Sequence, residues 1–398
     1  LKMARILLMS IGSRGDMEPF LALGEEALAE GHEIGCCMPV QFETLVNELT
    51  SHFFPQDKAL LDLVEGPEIK KIMSQEGSGF SRLLTLFKLW RQIKSVQEQL
   101  IQDQEEAVKK FNPDQIIFHI KCIYPVFWAL HFKGTVKLLS PIPALLDPIE
   151  DIPHVGFGKP RSKTWNKITY RIAEYALIHQ SILSHGKTFM KKHKLKLTTA
   201  ALKQFYRTSL PVEYAVSDLL FVRPSYWPSR AQVSHFRERK KSTVTTLTED
   251  LKAFLNNYPA PLYVGFGSML NAQPKQIVLD ILAVCEKLQI PVVLNESWGG
   301  LECPEKLPPW AFKIKNVPFH LLFPHLRAVI HHGGSGTTHS ALLHGKPQAI
   351  IPHIADQFFW NRQIEKMGVG CSGFKIKQWE RARFEKLVIA LLQFKMKS

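Results

Sequence analysis

The chain contains no run of about 18 apolar residues, the length a helix needs to cross a bilayer. Its first residues also lead straight into a strand-like segment, with no separate apolar region of the signal-peptide kind. A soluble, cytoplasmic protein is therefore expected. Cysteine is scarce, with six in 398 residues and no CxxC pair, which excludes a disulfide-stapled scaffold and a thiolate zinc site and suits reduced thiols. HExxH and other zinc spacings are missing among the 16 histidines, so no metal is expected. GxxxxGKS/T is missing too, leaving kinase or ATPase chemistry without the lysine that reaches a terminal phosphate. Acidic residues run short, 36 against 50 Lys and Arg, for a formal charge of +14. Such a surface suits a nucleic acid, an anionic membrane face or a phosphorylated substrate. The first of these finds no support from an RRM-like aromatic pair, a zinc finger or a helix-turn-helix, and the basic residues are dispersed. No nucleic-acid partner is expected.

What is present is ample apolar material, 45% of the residues, in a chain too long for one ordinary domain. Arg5 to Ser10 reads as a buried strand that runs into Gly12-Ser13-Arg14-Gly15-Asp16. Phe20, Leu23, Ala27 and Leu28 then recur at helical spacing up to Gly31, and another strand starts near Glu33. This is the opening βαβ of a parallel sheet, whose functional residues are expected beyond the carboxyl ends of its strands. Further strands are predicted at Gln115 to His119, Val136 to Leu139 and Leu219 to Val222, with helical stretches at Phe80 to Lys110 and Trp165 to Leu195. Pro224 to Thr246 has mixed charge and no sustained period, and reads as a linker. A second alternation follows, with strands at 262–266, 292–294, 312–314, 328–331 and 348–351 and helices at 275–288, 337–344 and 358–367. The division expected is residues 1–223, a linker at 224–246, and residues 247–398.

Chemistry concentrates where the strand Ala328 to His331 meets its helix, at His331-His332-Gly333-Gly334-Ser335-Gly336-Thr337-Thr338. Glycines let a backbone turn tightly against a ligand, and the free amides of a helix N-terminus make an anion site. Ser335, Thr337 and Thr338 can add hydroxyl donors and His332 a ring N–H. A glycine turn with a simple Ser/Thr cap is the plainer reading. A second turn of this type, Gly265-Phe266-Gly267-Ser268-Met269, would meet the same ligand from the side. The first-half turn GSRGD departs from GxGxxG, which makes a dinucleotide oxidoreductase a poor match. Asp16 stands just before a helix, where a carboxylate serves as an N-cap.

Together these segments resemble the GT-B glycosyltransferases, in particular sterol glucosyltransferases and the bacterial enzymes that glycosylate glycopeptide antibiotics. The resemblance rests on GSRGDMEPFLALG at 12–24, GFGSM at 265–269, NESWGG at 295–300, NVPFHLLFP at 316–324 and HHGGSGTTHSALLHGKPQAIIPHIADQFFWN at 331–361. It implies an α/β chain of the GT-B fold, two Rossmann-like domains facing each other across a cleft, the first binding the acceptor and the second a nucleotide-sugar donor. UDP-glucose is the donor it implies first, with a TDP-sugar as the alternative. By the same resemblance the diphosphate lies on His332, Gly334, Ser335, Gly336 and Thr337 with Ser268 opposite, the base lies near Trp298 and Val317, and Asp356 and Gln357 read the hexose. Asp16 matches the general base of an inverting, metal-independent transfer. Asp356 could equally be a helix cap.

The chain departs from this family at three places. Ala355 stands where glycine is usual before the Asp-Gln pair, Ser297 replaces the glycine before Trp298, and the sequence ends in LVIALLQFKMKS where relatives carry a helix that crosses back. The last departure implies a shortened brace or a piece of a longer chain. Phe80 to Arg91 alternates apolar and basic residues, as would ordinary core packing with a basic rim or a wall for a lipophilic acceptor approached from an anionic membrane. Lys187 to Lys196 could serve the same surface or be a solvated face. An antibiotic-type transferase using a deoxysugar, or a sugar-nucleotide-binding protein without catalysis, are the neighbouring readings.

Overall fold

A computed structural model describes residues 3–57, 79–157, 160–240, 245–296, 300–315 and 317–396, the side chains of 79–92 excepted. Trp298 and the side chains of Phe80 to Arg91 thus lie outside the described residues. Two compact units are present, and segments of the first half belong to each: residues 1–147, 167–215 and 223–241 form one unit, and residues 148–166, 216–222 and 242–398 the other.

Among the described residues the first unit carries seven parallel strands: β1 (Arg5–Met9), β2 (Glu33–Pro39), β3 (Phe53–Gln56), β4 (Gln115–Phe118), β5 (Thr135–Ser140), β6 (Val212–Ala215) and β7 (Ala231–Ser234). Their order is β3-β2-β1-β4-β5-β6-β7, so the chain winds outward from β1 in both directions. After Arg5 the strand β1 is apolar and buried, because helices cover both faces of a parallel sheet. On one of those faces the helix Arg14–Ala29 packs Met17, Phe20 and Leu21 against Leu8, Ile34 and Cys36.

The second unit has six parallel strands among the described residues: β8 (Leu262–Gly265), β9 (Val292–Asn295), β10 (Ala311–Ile314), β11 (Ala328–His331), β12 (Gln348–Ile350) and β13 (Gly370–Ser372), in the order β10-β9-β8-β11-β12-β13. Its helices include Pro274–Leu288, Ser335–Leu343, Gln357–Lys366 and Arg381–Gln393. Strand order reverses between β8 and β11, where ligands of open α/β sheets bind. Register places His331 beside Gly265, so the two glycine turns leave the sheet at the same level.

Two expectations differ from this architecture. The apolar run Leu219 to Val222 is a turn rather than a strand, with Leu219 and Val222 61% and 69% exposed. The strand lies just upstream at β6, all four residues buried. The run is held instead on the helix Gln357–Lys366, where Gln363 Nε2 donates to the Leu220 carbonyl at 2.6 Å and Phe221 meets Phe359 edge-on. The stretch read as linker contains β7 and is fastened to the first unit by arginines. Arg237 binds Glu26 and Glu213, each at 2.6 Å, and Arg239 reaches Glu25 at 3.3 Å and Glu48 at 2.9 Å. Mixed charge there reflects a paired network, not a solvated tether.

Candidate functional site

In the first unit the candidate chemistry sits just past the carboxyl ends of β1 and β4. Gly12 adopts φ +136°, and a side chain at that position would collide with the Asp16 carboxylate and crowd Lys121. Asp16 is the third residue of the helix Arg14–Ala29, one turn deeper than a cap, and Ser13 occupies the cap position. The Ser13 amide donates to Asp16 Oδ2 at 2.8 Å and its hydroxyl does so at 3.1 Å. This carboxylate also lies at the positive end of the helix. Arg14 pairs with Glu18 at 2.8 Å and takes no part in orienting Asp16.

Lys121 and His119 reach the other oxygen, Oδ1, at 3.2 and 3.5 Å. His119 Nδ1 accepts from the Lys121 amide, which leaves the hydrogen on Nε2 facing Asp16. Burial and the neighbouring Lys121 push the His119 ring down to about 4, so it is a neutral donor. For Asp16 burial opposes ionisation, yet Lys121, with help from His119 and the Ser13 amide, outweighs it and holds the carboxyl below its ordinary range. Asp16 is therefore an ionised carboxylate with its two oxygens differently engaged. Behind it, Gln56 donates to the carbonyls of Ser10 and Cys37 and accepts from Gln104, whose own oxygen accepts from the Tyr124 amide. Both amides are 1% exposed, and this fully paired chain fixes the loop that carries Asp16.

In the second unit the sites predicted after β8, β10, β11 and β12 come together at one end of the sheet. The His332 ring is wedged between Gly267 and Gly334: a Cβ would sit 2.7 Å from Cε1 on one side and 2.6 Å from Nε2 on the other. His332 Nδ1 is buried with no protein partner, and burial, then His331 and His353, hold the ring well below its usual range. It is a neutral imidazole beside the first turn of the helix Ser335–Leu343, whose leading amides have no intrahelical acceptors. His331 is different. Its Nε2 donates to Gln348 Oε1 at 2.9 Å while Nδ1 accepts from the Gly333 amide at 3.1 Å, so it braces the turn from beneath.

Gly336 and Thr337 lie in that first turn, and a Cβ on Gly336 would meet only open space. The Thr338 hydroxyl, expected as a further donor, is fully buried and already donates to the Gly334 carbonyl at 2.9 Å, as threonines inside a helix often do. Ser268 lies half-buried at the tip of the β8 turn, and Val317 packs against the core just beyond β10.

The pair Asp356 and Gln357 divides. Gln357 is 4% exposed; its oxygen accepts from the amides of His353 and Ile354 at 2.7 and 3.0 Å, and its nitrogen lies 3.2 Å from Met269 Sδ. It therefore ties the β12 loop to the β8 turn. Asp356 leads the helix Gln357–Lys366 without a side-chain cap bond. Ala355 keeps φ +46°, so the glycine-like turn survives at the expense of a methyl group in a left-handed conformation. His353 adds a second tie, with Nε2 3.0 Å from Asn271 Oδ1.

His119, Lys121 and Asn271 were not among the candidate site residues read from the sequence, and Met269 entered only as the last residue of the GFGSM turn. The first two could have been found from their place at the carboxyl end of the predicted strand Gln115 to His119, one as its last residue and the other two residues further on. Among the described residues no group of three His, Cys, Asp or Glu could hold a metal ion, and no helix is long and apolar enough to cross a membrane.

Residues 6–113 match the glycosyltransferase family 28 N-terminal domain, and residues 281–388 the erythromycin biosynthesis protein CIII-like C-terminal domain. A sterol 3-beta-glucosyltransferase of Arabidopsis thaliana is 26% identical over 402 residues, covering 99% of this chain and 64% of that protein. One from Sclerotinia sclerotiorum is 25% identical over 96% of this chain and 27% of its own length. The chain thus spans less than two thirds of either relative. Among solved structures, the kitacinnamycin glycotransferase superposes with a TM-score of 0.69 at 14% identity, covering 99% of this chain and 92% of that one. A calicheamicin glycosyltransferase gives 0.66 at 17%, covering 99% and 90%. The chain thus has the fold of these glycosyltransferases, and in sequence it is similar to sterol glucosyltransferases along nearly its whole length.

Two substitutions separate fold from site. Gly336→Ala fills open space in a helical turn, so thermal or urea unfolding should show stability unchanged or raised by up to about 1 kcal/mol, while calorimetry shows weaker nucleoside diphosphate binding. Unchanged affinity would remove this turn from the ligand site. Ala355→Gly releases the left-handed alanine and should raise stability by about 0.5–1 kcal/mol, and a destabilised variant would contradict the strain.

Proposed function

We propose that the chain is an inverting, metal-independent glycosyltransferase that moves a hexose, glucose from UDP-glucose, to a hydroxyl of a lipophilic acceptor such as a sterol or a related natural product. The observation that carries this reading is the neutral His332, with its unpartnered Nδ1, set between two glycine turns at the start of a helix. A diphosphate fits that combination of ring N–H, hydroxyl and helix-terminal amides.

In this reading the diphosphate rests on His332, Gly334, Ser335, Gly336 and Thr337, with Ser268 opposite, and the nucleobase lies near Val317 and Trp298. Asp356 reads hexose hydroxyls. Gln357, spent on the backbone of its own loop, holds the turn that presents Asp356. The acceptor hydroxyl gives its proton to the Asp16 carboxylate, and its oxygen attacks the anomeric carbon from the face opposite the leaving group. A new bond from that carbon to the acceptor oxygen forms as the bond to the diphosphate oxygen breaks, and the electron pair leaves with the nucleoside diphosphate. Charge therefore grows on the diphosphate during the step. Fixed donors at the 332–337 turn gain strength as it does, and they lower the barrier rather than merely binding the ground state.

Asp16 suits the task because Lys121 keeps it ionised near neutral pH, and on proton uptake its pairing with Lys121 weakens. A deoxysugar carried on TDP is the second donor reading, favoured by the match of residues 281–388 to the erythromycin CIII-like domain. The same protein thus accommodates one acid–base group and one diphosphate cradle under either donor.

Asp16→Asn should bind UDP or TDP with near-normal affinity by calorimetry while losing a hundredfold or more in turnover, roughly the share expected of a general base. Parallel loss of affinity and turnover would remove Asp16 from the proton transfer. Comparing UDP and TDP affinity in the same titrations separates the two donors.

A further inference from the structure

Asp16 is surrounded more completely than a waiting base needs to be. A carboxylate offers about four lone-pair positions, two on each oxygen. Oδ2 accepts from the Ser13 amide at 2.8 Å and from the Ser13 hydroxyl at 3.1 Å, while Oδ1 has Lys121 Nζ at 3.2 Å and His119 Nε2 at 3.5 Å. Every position thus has one of the protein's own donors beside it. A hydroxyl that is to hand its proton to Asp16 must first come within hydrogen-bond reach of it, so one of these donors has to give way.

The donors differ in how firmly they are held. The Ser13 amide belongs to the backbone that starts the helix Arg14–Ala29. His119 is buried, lies edge-on to Phe20, and its Nδ1 is engaged by the Lys121 amide. The Ser13 hydroxyl can turn, but it serves Oδ2, whose other position its own amide keeps. Lys121 ends a flexible stem, and its side chain is 47% exposed while that of Asp16 keeps 21%. An ion pair so open to water is among the weakest a protein forms, and it is the one that an incoming group displaces at least cost.

We propose that Lys121 is a positioning residue that keeps the place of the acceptor hydroxyl on Asp16 Oδ1 and swings out when the acceptor enters. The inference rests on the reading of Asp16 as the general base and deepens it. Before the acceptor arrives, the ammonium outweighs the burial that opposes ionisation, so the base waits in its charged form. Once the ammonium has left for water, burial is no longer offset by it, and the carboxylate takes up a proton more readily just when the hydroxyl is in place. That proton ends on Oδ1, the acceptor oxygen bonds to the anomeric carbon, the electron pair of the broken bond leaves with the diphosphate, and Lys121 keeps all its protons. The other titratable and charged groups around Asp16 do not offer this exchange: His119 is a neutral ring, burial keeps the Cys122 thiol protonated, and Arg14 is bound to Glu18.

The test is the pH dependence of transfer from UDP-glucose to the best acceptor in a panel of sterol, polyketide and glycolipid hydroxyl compounds, with kcat/KM for the acceptor and kcat followed separately. The first reports Asp16 before the acceptor binds and the second Asp16 with the acceptor in place. In the parent chain kcat should fall on the acid side at a higher pH than kcat/KM does, because Lys121 has already left the bound complex. Lys121→Met should raise the acid limb of kcat/KM to meet that of kcat and leave the limb of kcat where it was. Lys121→Arg should keep the kcat/KM limb low yet reduce kcat/KM about fivefold, since a guanidinium fork grips a carboxylate more firmly than an ammonium does. Circular dichroism over the same range reads the fold of each variant separately from its limbs. The inference is overturned if both limbs move together in Lys121→Met, which would leave the ammonium on Asp16 throughout, or if neither moves. It is also overturned if Ser13→Ala, and not Lys121→Met, brings the limbs together. Asp16→Asn separates the two readings: full turnover in that variant, like a panel that yields no product, removes the general base and this inference with it, whereas loss of turnover beside any of the earlier outcomes removes this inference alone.

Discussion

The His332 imidazole lies so close to Gly267 and Gly334 that neither position has room for a side chain, and the second unit's site is organised around that contact. It follows from sheet register. Pairing of His331 with Gly265 brings the turn after β11 alongside the turn after β8, at the point where strand order reverses. From there His331 and Gln348 brace the floor, while Gln357 and His353 tie the β12 loop to the β8 turn and to Asn271. The same wedge leaves His332 Nδ1 without a protein partner at the mouth of a helix, an arrangement that costs free energy unless a ligand uses it.

The first unit solves a different electrostatic problem. Its candidate base must stay charged although largely buried, and burial alone would drive a carboxyl toward its neutral form. Lys121 reverses that tendency, and the neutral His119 adds a donor without adding charge. Gly12 leaves the space in which the carboxylate sits, and the Gln56–Gln104 pair holds the loop. The proposed reaction thus calls on an ionised group in one unit and on a neutral imidazole in the other, each state set by immediate neighbours.

Much of this was legible in the chain. Apolar runs such as RILLM and AVIH identify central parallel strands, and the glycine turns that follow β8 and β11 stand out from their glycines alone. The short strands β3 and β13 escaped, since FFPQ carries a proline and GCS is only three residues long. Leu219 to Val222 was misread because an apolar run looks the same whether it pairs in a sheet or lies across a helix; its tie to Gln363 is 143 residues away in sequence. Lys121 was missed for a similar reason. It meets Asp16 across 105 residues, and local pattern carries no trace of such a pairing.

Product analysis tests the account at its centre. The full chain would be incubated with UDP-glucose and a panel of sterol, polyketide and glycolipid hydroxyl compounds, and the products read by mass and by the anomeric signals in NMR. The account predicts a single hexose added to an acceptor hydroxyl, with anomeric configuration opposite to that of the donor. Release of free glucose with no acceptor product, or a product that keeps the donor's configuration, would contradict it.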